Sequence, residues 1–451
     1  MAAHEISKKN QTAQNQTAAT TWRFGEFQLD PGERLLQRNQ TAVPLSPKTF
    51  DALFCLVSRA GRLVTKDELM QTVWPATFVA EANLTNAIVT LRKVVGRDAI
   101  RTVSKHGYRF ELPVEGEPGV GRELYQTFNR ARELVGHRSI EGVAQAREML
   151  WLCLAENPGF APAWAWLGRA CAILAKFAPR TNQVGSHAAG HVDLAHAAFR
   201  RAFAIDPDLA CAHQFFTSMQ TDMGEARHAM QRLGERLRCH PAEPESWAGL
   251  VQALRFCGLL DESIEAHRRA KDLDPTIHTS AAHTWFLKGD YGAAIETYSG
   301  RAGLYLDAAA WAAMGQNARA RELLQQRVAR ADCSALMMAG MASLLAILEG
   351  RTADAAAIME AAGPVGDMEM VFYFGRHFAY TGICDKALGM ITEAVRSGFV
   401  CAPQTLRTDP WLAPLGVHPD FPALLENAEK LTREARMLWE SSAPATQQRT
   451  P

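Results

Sequence analysis

The stretch Ala82–Phe110 leaves the chain little choice of fold. In ANLTNAIVTLRKVVG the apolar residues Leu84, Ile88, Leu91 and Val95 recur at i, i+4, i+7 and i+11, the spacing of one buried helix face. The other face carries Asn83, Asn86, Val89, Thr90 and Lys93: small, amide-bearing or basic, and never acidic. Gly96 follows the last apolar position and can end the helix. Ile100–Val103 and Tyr108–Leu112 then read as two strands joined through Ser104-Lys105-His106-Gly107. A rod with a polar, cationic outer face, followed by a ribbon with a basic tip, has the form needed to enter nucleic acid. An α-helix fits the major groove, where Asn pairs with adenine and Lys with guanine or phosphate.

Upstream, Trp22–Ser46 predicts three short strands: Phe24–Leu29, Arg34–Gln37 and Val43–Leu45, with turns at Asp30-Pro31-Gly32 and Asn39-Gln40. Ser46-Pro47 opens a helix whose stripe is Phe50, Leu53, Phe54 and Val57, and Gly61 is expected to end it. Thr65-Lys66-Asp67-Glu68 is a capping box for a second helix that stops at Pro75. The expected order is therefore three strands, three helices and a hairpin.

That order, with FGEFQLDP, L-x-x-K-x-F-D-x-L, L-V-T-K-D-E-L-x-x-x-V-W, N-L-T-N-A-I-x-x-L-R-K-V-V-G and I-R-T-V-x-x-x-G-Y-R-F, resembles the DNA-binding domain of OmpR/PhoB-type regulators and of the ToxR/CadC/HilA group. The likeness covers Trp22–Val114. It implies a winged helix-turn-helix with an extra N-terminal sheet, a major-groove helix, and a loop at Pro75–Glu81 that can touch RNA polymerase. The wing departs from the family's frequent Arg-Gly: here Lys105-His106-Gly107 supplies one constant cation and one titratable group. Only the Gln/Asn/Thr-rich tail 1–20 precedes the module, so phosphorylation of a receiver domain within this chain is not expected.

Charge agrees with this division. The 451 residues carry 48 basic and 48 acidic side chains, which argues against a general polyanion coat. Residues 21–114 nevertheless hold thirteen basic and nine acidic groups, with the surplus concentrated between Arg92 and Arg109. Nine scattered cysteines without a CxxC favour reduced thiols and a cytoplasmic setting. The longest apolar run, Ser334–Leu348, is shorter than the roughly 18–20 residues that span a bilayer, so it reads as a buried helix and no membrane is expected.

Residues 115–121 form a Glu/Gly/Pro linker. Beyond it the chain is rich in Ala, Leu and Arg. Pro207, Pro241 and Pro275 stand 34 residues apart, the period of tetratricopeptide repeats. Trp247, Leu250, Leu254 and Ala270 fall at packing positions, as do Trp164, Leu167, Gly168, Ala195, Phe199 and Ala202 of an earlier repeat. An extended loop is expected at Lys176–Gly190, and helix turns at Gly289, Gly315, Gly350 and Gly382. Gly398–Leu425, with Asp409-Pro410-Trp411-Leu412, should cap the last repeat. Ser441 onward should fray. The domains expected are thus 1–20, 21–114, 115–121, 122–440 and 441–451.

Other chemistry has little support. His187 and His191, with Asp193 and His196, have metal-ligand spacing, but no zinc-protease Glu lies between them, so no metal is expected. No Gly-x-Ser-x-Gly elbow or Gly-Lys-Ser/Thr phosphate loop occurs; no catalysis and no cofactor is expected. The fold class is an α+β winged helix-turn-helix domain followed by an all-α tetratricopeptide-repeat solenoid. The function expected is a sequence-specific regulator binding double-stranded DNA. Asn83, Asn86, Val89, Thr90 and Lys93 would face the major groove, Lys105 and His106 the minor groove, and Arg92, Arg101 and Arg109 the backbone. The repeat groove would take a peptide, another protein or a second copy of the chain. The competing reading is an interaction scaffold whose winged module no longer binds DNA specifically.

Overall fold

The computed structural model describes the chain except residues 1–20, 32–33, 75–80, 104–105, 115–119, 138, 178–186, 276, 299–304, 331–332, 363–366 and 445–451. The expected tail, the loop from Pro75, the wing-tip residues Ser104 and Lys105, the linker core and Pro179 and Gly185 lie outside that description. Two compact units result. The first holds residues up to 134 with 145–164 and 204–206; the second holds 135–144, 165–203 and the remainder.

In the first unit, Trp22–Phe24 (β1), Phe27–Asp30 (β2), Leu35–Arg38 (β3) and Thr41–Val43 (β4) form an antiparallel sheet in sequential order. Four strands replace the three expected. Phe24 and Phe27 are an odd number of residues apart, so one straight strand would aim them at opposite faces. Gly25, at φ +53°, folds the chain between them, and Phe24 pairs with Phe27. Trp22, Phe24, Phe27 and Leu29 are then all buried. The third hairpin, β3 to β4, turns at Asn39 and Gln40, both at positive φ.

Helix α1 (Pro47–Val57) begins at Ser46, whose side chain accepts from the Thr49 amide, and buries every residue from Thr49 to Val57. It ends at Val57, earlier than expected, and Gly61 at φ +75° instead turns the chain into β5 (Leu63–Thr65). That three-residue strand went unanticipated because it is too short to show periodicity. Helix α2 (Lys66–Val73) carries the predicted capping box: Glu68 N–H donates to Thr65 Oγ1 at 3.1 Å, and Thr65 N–H to Glu68 Oε2 at 2.8 Å. Helix α3 (Glu81–Val95) precedes β6 (Ile100–Val103) and β7 (Gly107–Phe110), the latter ending two residues before the predicted Leu112. The expected two-stranded ribbon is a three-stranded sheet, ordered β5-β7-β6. Phe110 meets Phe24 edge-on at 5.1 Å, linking this sheet to the first.

Helix α4 (Val120–His137) starts two residues inside the expected linker and is followed by α5 (Ile140–Glu156), α6 (Ala161–Phe177) and α7 (His187–Ile205). Lys176 and His187–Gly190, expected in a loop, are helical. Two of the periodic prolines, Pro207 and Pro241, and the earlier Pro158 have a physical role: an aromatic ring nitrogen six residues on meets each of these carbonyls, whereas Pro275 O accepts from Lys271 Nζ at 3.0 Å. Trp164 donates to Pro158 O at 2.9 Å and Trp247 to Pro241 O at 3.0 Å; His213 Nε2 lies 2.8 Å from Pro207 O. Gly168 is equally constrained, because a Cβ there would sit 2.9 Å from the Phe199 ring.

The second unit continues as helix pairs: α8 (Ala210–Asp222) with α9 (Ala226–Cys239), α10 (Pro244–Phe256) with α11 (Leu260–Leu273), and the short α12 (Ala281–Leu287) with α13 (Tyr291–Thr297). Next come α14 (Leu306–Ala313) with α15 (Asn317–Arg330), α16 (Ala335–Leu348) with α17 (Thr352–Ala361), and α18 (Met368–Tyr380) with α19 (Cys384–Arg396). Gly289, Gly315, Gly350 and Gly382 turn four of these pairs in left-handed conformation, as expected. The unit is a solenoid of tetratricopeptide type.

Its inner face is filled by the chain itself. Every residue of α18 from Glu369 to Ala379 is buried. Lys176 on α6 bridges Asp222 on α8 and Asp367 at the start of α18, at 3.0 and 2.9 Å. Arg255 on α10 grips Glu369 at 3.0 Å, His283 on α12 meets the same carboxylate at 3.3 Å, and Ser343 on α16 bonds His377 at 3.0 Å. Burial acts to raise the Glu369 carboxyl, but Arg255 and His283 outweigh it and hold the group well below the usual range. The groove expected to take a peptide is thus occupied along these helices.

The closing element also departs from expectation. Its 3-10 turn Ala413–Val417 does lie on α18 and α19. The rest folds back along the solenoid. Gly398 abuts Gly224, Val400 N–H donates to Phe256 O at 2.8 Å, and Thr405 Oγ1 donates to Leu287 O at 2.5 Å. Phe399 packs between Phe256 and Phe372 at 4.8 and 5.6 Å. After α20 (Pro403–Thr408), α21 (Phe421–Ser442) lies along α9, with Arg227–Glu434 and Arg436–Glu262 ion pairs. Ser442, expected to fray, is buried, and Arg238 bonds the Ser441 carbonyl.

Open solenoids lose stability repeat by repeat; this one is closed on itself. Removing residues 398–451 strips out Phe399, Trp411, Leu412, Leu415, Phe421 and Trp439, all buried. At about 1.5–3 kcal/mol each, that rivals the roughly 5–15 kcal/mol stability of a whole domain. The truncated chain should lose the cooperative helical melting transition in circular dichroism; a transition within a few degrees of the full chain's would contradict closure. Acid should act similarly. Burial and the neighbouring Arg376 lower the His377 imidazole to about 3, and burial with Arg236 and Arg232 lowers His213 to about 4, against an ordinary value of 6.5. The unfolded chain takes up these protons first, so stability falls as pH drops from about 6.5 towards 4, by up to ~1.4 kcal/mol per pH unit for each histidine. Denaturant midpoints across that range should show the slope, and His377→Gln should flatten it.

Candidate nucleic-acid interface

Helix α3 divides as its sequence requires. Leu84, Ala87, Ile88, Leu91 and Val95 are buried, and the helix packs against α1 and α2. Thr85, Asn86, Val89, Thr90 and Lys93 are exposed in one stripe, with Asn83 half-buried at its margin. Val89, 45% exposed, is the apolar member of this stripe. Thr90 Oγ1 donates to the Asn86 carbonyl at 3.0 Å, which fixes its rotamer. Thr85 joins this stripe without having been singled out from sequence; its position four residues before Val89 is the signal that places it there.

The wing is held by a close backbone approach. A Cβ on Gly107 would stand 2.1 Å from the Val64 carbonyl oxygen, so only glycine lets β7 pair with β5 at that point. His106 is exposed at the turn; its N–H donates to Val103 O at 3.0 Å and its carbonyl accepts from Lys66 N–H at 3.2 Å. His106 is therefore tied to the first turn of α2. Lys105 lies outside the described residues.

The three arginines expected to anchor a backbone take different places. Arg101 and Arg109 sit directly opposite each other across β6 and β7. Alternation puts them on the sheet face away from Thr102 and Tyr108, which face α3. Like charges opposed across strands oppose pairing unless an anion joins them. Arg109 Nε is buried without a hydrogen-bond partner. Arg92, by contrast, turns inward: its Nε and Nη2 reach Ile100 O at 3.0 and 2.7 Å, and Nη2 reaches Thr102 Oγ1 at 2.7 Å. Its guanidinium lies 6.0 Å from the Tyr108 ring centre.

The fold thus gathers Asn86, Val89, Thr90 and Lys93 on one face, sets His106 at the wing turn, and separates Arg101 and Arg109 from Arg92. Among the described residues no group of three or more His, Cys, Asp or Glu side chains could hold a metal ion, and no helix is long and apolar enough to cross a membrane.

Comparison with known proteins bears on the same segment. The family described as transcriptional regulatory protein, C terminal, matches residues 39–110. The transcriptional regulator HilA of Salmonella typhi is 36% identical over 95 residues, 20% of this chain and 17% of that protein. The transcriptional activator CadC of Escherichia coli is 32% identical over 98 residues, 20% of this chain and 19% of that protein. Less than a fifth of either relative's length is therefore matched. The solved DNA-binding domain of E. coli CadC is 29% identical, with a TM-score of 0.21, covering 22% of this chain and 97% of that one. Residues 39–110 are a domain of the OmpR/PhoB-type transcriptional regulatory family, joined here to a tetratricopeptide-like helical body.

Proposed function

We propose that the chain is a sequence-specific, DNA-binding transcriptional regulator acting in the cytoplasm, with α3 in the major groove and the wing in the minor groove. The observation that carries this reading is the acid-free exposed stripe Asn86, Val89, Thr90 and Lys93 on a helix whose opposite face is buried. Asn86 suits the N6/N7 edge of adenine, Lys93 the O6/N7 edge of guanine or a phosphate, and Val89 the methyl of thymine. Asn83 and Thr90 would act at the margin of that contact. Lys105 and His106 at the tip would enter the minor groove or meet its phosphates. Arg101 and Arg109 would gain an anion that relieves their mutual repulsion, which supports a backbone role for the outer wing face.

The regulators HilA and CadC support the general assignment. The loop from Pro75 to Glu81 is proposed as a contact for RNA polymerase on the family resemblance. For the helical body we propose protein interaction or signal input. The inner surface is filled by α18, so a partner protein, or a second copy of this chain, would meet the outer surface.

Two outcomes test the reading in fluorescence-anisotropy titrations of the full chain against a duplex selected from a random pool and against unselected DNA. Asn86→Ala and Lys93→Ala should each lower the preference for the selected duplex by about 1–3 kcal/mol; unchanged discrimination removes them from the reading face. Arg101→Ala and Arg109→Ala should weaken both duplexes alike. Each should also reduce the slope of log affinity against log salt by about 0.9, one phosphate apiece; an unaltered slope would exclude a phosphate contact.

A further inference from the structure

We infer that Arg92, on the DNA-facing helix, is not a DNA ligand but the strut that sets the angle between that helix and the wing. The inference deepens the DNA-binding reading and rests on it. Three hydrogen bonds carry it. Arg92 Nε and Nη2 both close on the Ile100 carbonyl, at 3.0 and 2.7 Å, and Nη2 also closes on Thr102 Oγ1 at 2.7 Å. Ile100 and Thr102 lie on β6, the strand leading to the wing tip. The guanidinium plane is thus committed to one strand at two successive inward positions, beside the buried Tyr108 ring on β7.

The chemistry of the side chain explains why arginine stands here. A planar fork with several fixed donors can hold a carbonyl and a hydroxyl at once; a lysine ammonium, as a point charge, cannot fix that orientation. Neighbouring Lys93 is exposed in the outer stripe while Arg92 is bound to β6, so the adjacent basic pair divides its work. Ile100 O also gains partners from this arrangement: it belongs to β6, whose ladder runs only to β7 on one side. Arg92 therefore covers the open edge of the wing sheet with donors from α3. Two elements proposed to contact DNA, α3 and the β6–β7 wing, are thereby held to one another, and fixed placement is what lets both bind at once without an ordering cost.

The test separates a strut from a phosphate ligand by charge and by coupling, using the full chain and the selected duplex. Arg92→Lys keeps a cation but loses the fork; Arg92→Met loses both. As a strut, both variants should bind about tenfold more weakly, with the wild-type salt slope retained. As a phosphate ligand, Lys would bind nearly as well as Arg, and Met would lower the slope by about 0.9; either result overturns the inference. A second measurement concerns the wing. Lys105→Ala should weaken the wild-type chain but have less than half that effect, in log units, in the Arg92→Met background, because the tip is then no longer held to the duplex. An undiminished effect also overturns it. Thr102→Val, which leaves both bonds to Ile100, should give an intermediate loss and checks against general unfolding, with melting curves of all variants run alongside. Failure of the wild-type chain to prefer the selected duplex would instead overturn the DNA-binding reading itself.

Discussion

Everything at the candidate interface depends on one apolar contact: Leu84, Ile88 and Leu91 of α3 packed inside the first unit, against α1 and α2. That burial decides the rotation of the helix about its own axis. With the stripe turned inward, Thr85, Asn86, Val89, Thr90 and Lys93 fall on the exposed side. The polar face is thus a consequence of the core. A helix rotated by a third of a turn would bury Lys93 or Asn86, at the desolvation penalty of an unpaired charge or amide.

The same unit shows why a small sheet accompanies the helix. The wing needs a partner strand, and β5 supplies it through a contact that tolerates no side chain at Gly107. On the other edge, β6 is met by Arg92 rather than by another strand. Backbone pairing on one side and a guanidinium fork on the other hold a short hairpin that would be marginal by itself.

In the second unit the decisive constraint is polar. Lys176 on α6, Arg255 on α10 and the His283 ring on α12 converge on the start of α18, and buried ions persist only when paired and hydrogen-bonded. Arg255 with Glu369 and Ser280, and Lys176 with Asp222 and Asp367, meet that condition. Removing either partner would leave a buried charge behind, so these pairs specify where α18 must lie more than they add stability. A solenoid that encloses one of its own helices differs from an open peptide receptor built of the same repeats.

Much of this could be read along the chain. The heptad-like stripe of α3, the Ser46 and Thr65 caps, and the Gly96 stop are local, because each is decided by residues within about one helical turn. The 34-residue proline spacing is legible for the same reason: at Pro207 and Pro241 the carbonyl is met by a ring six residues later. Less local features were hidden. The break at Gly25 answers to where Phe24 and Phe27 must both point; β5 exists because β7 is there to pair with it; and the inward turn of Arg92 depends on a strand eight residues away. The return of residues 398–442 over α9–α12 involves partners some two hundred residues distant. Sequence by itself therefore determined the helices, their buried faces and the residues left outside. Which cations remain available, and whether the solenoid is open or filled, only tertiary structure decided, because hydrogen-bonding and ion-pairing groups choose among partners that chain order does not bring together.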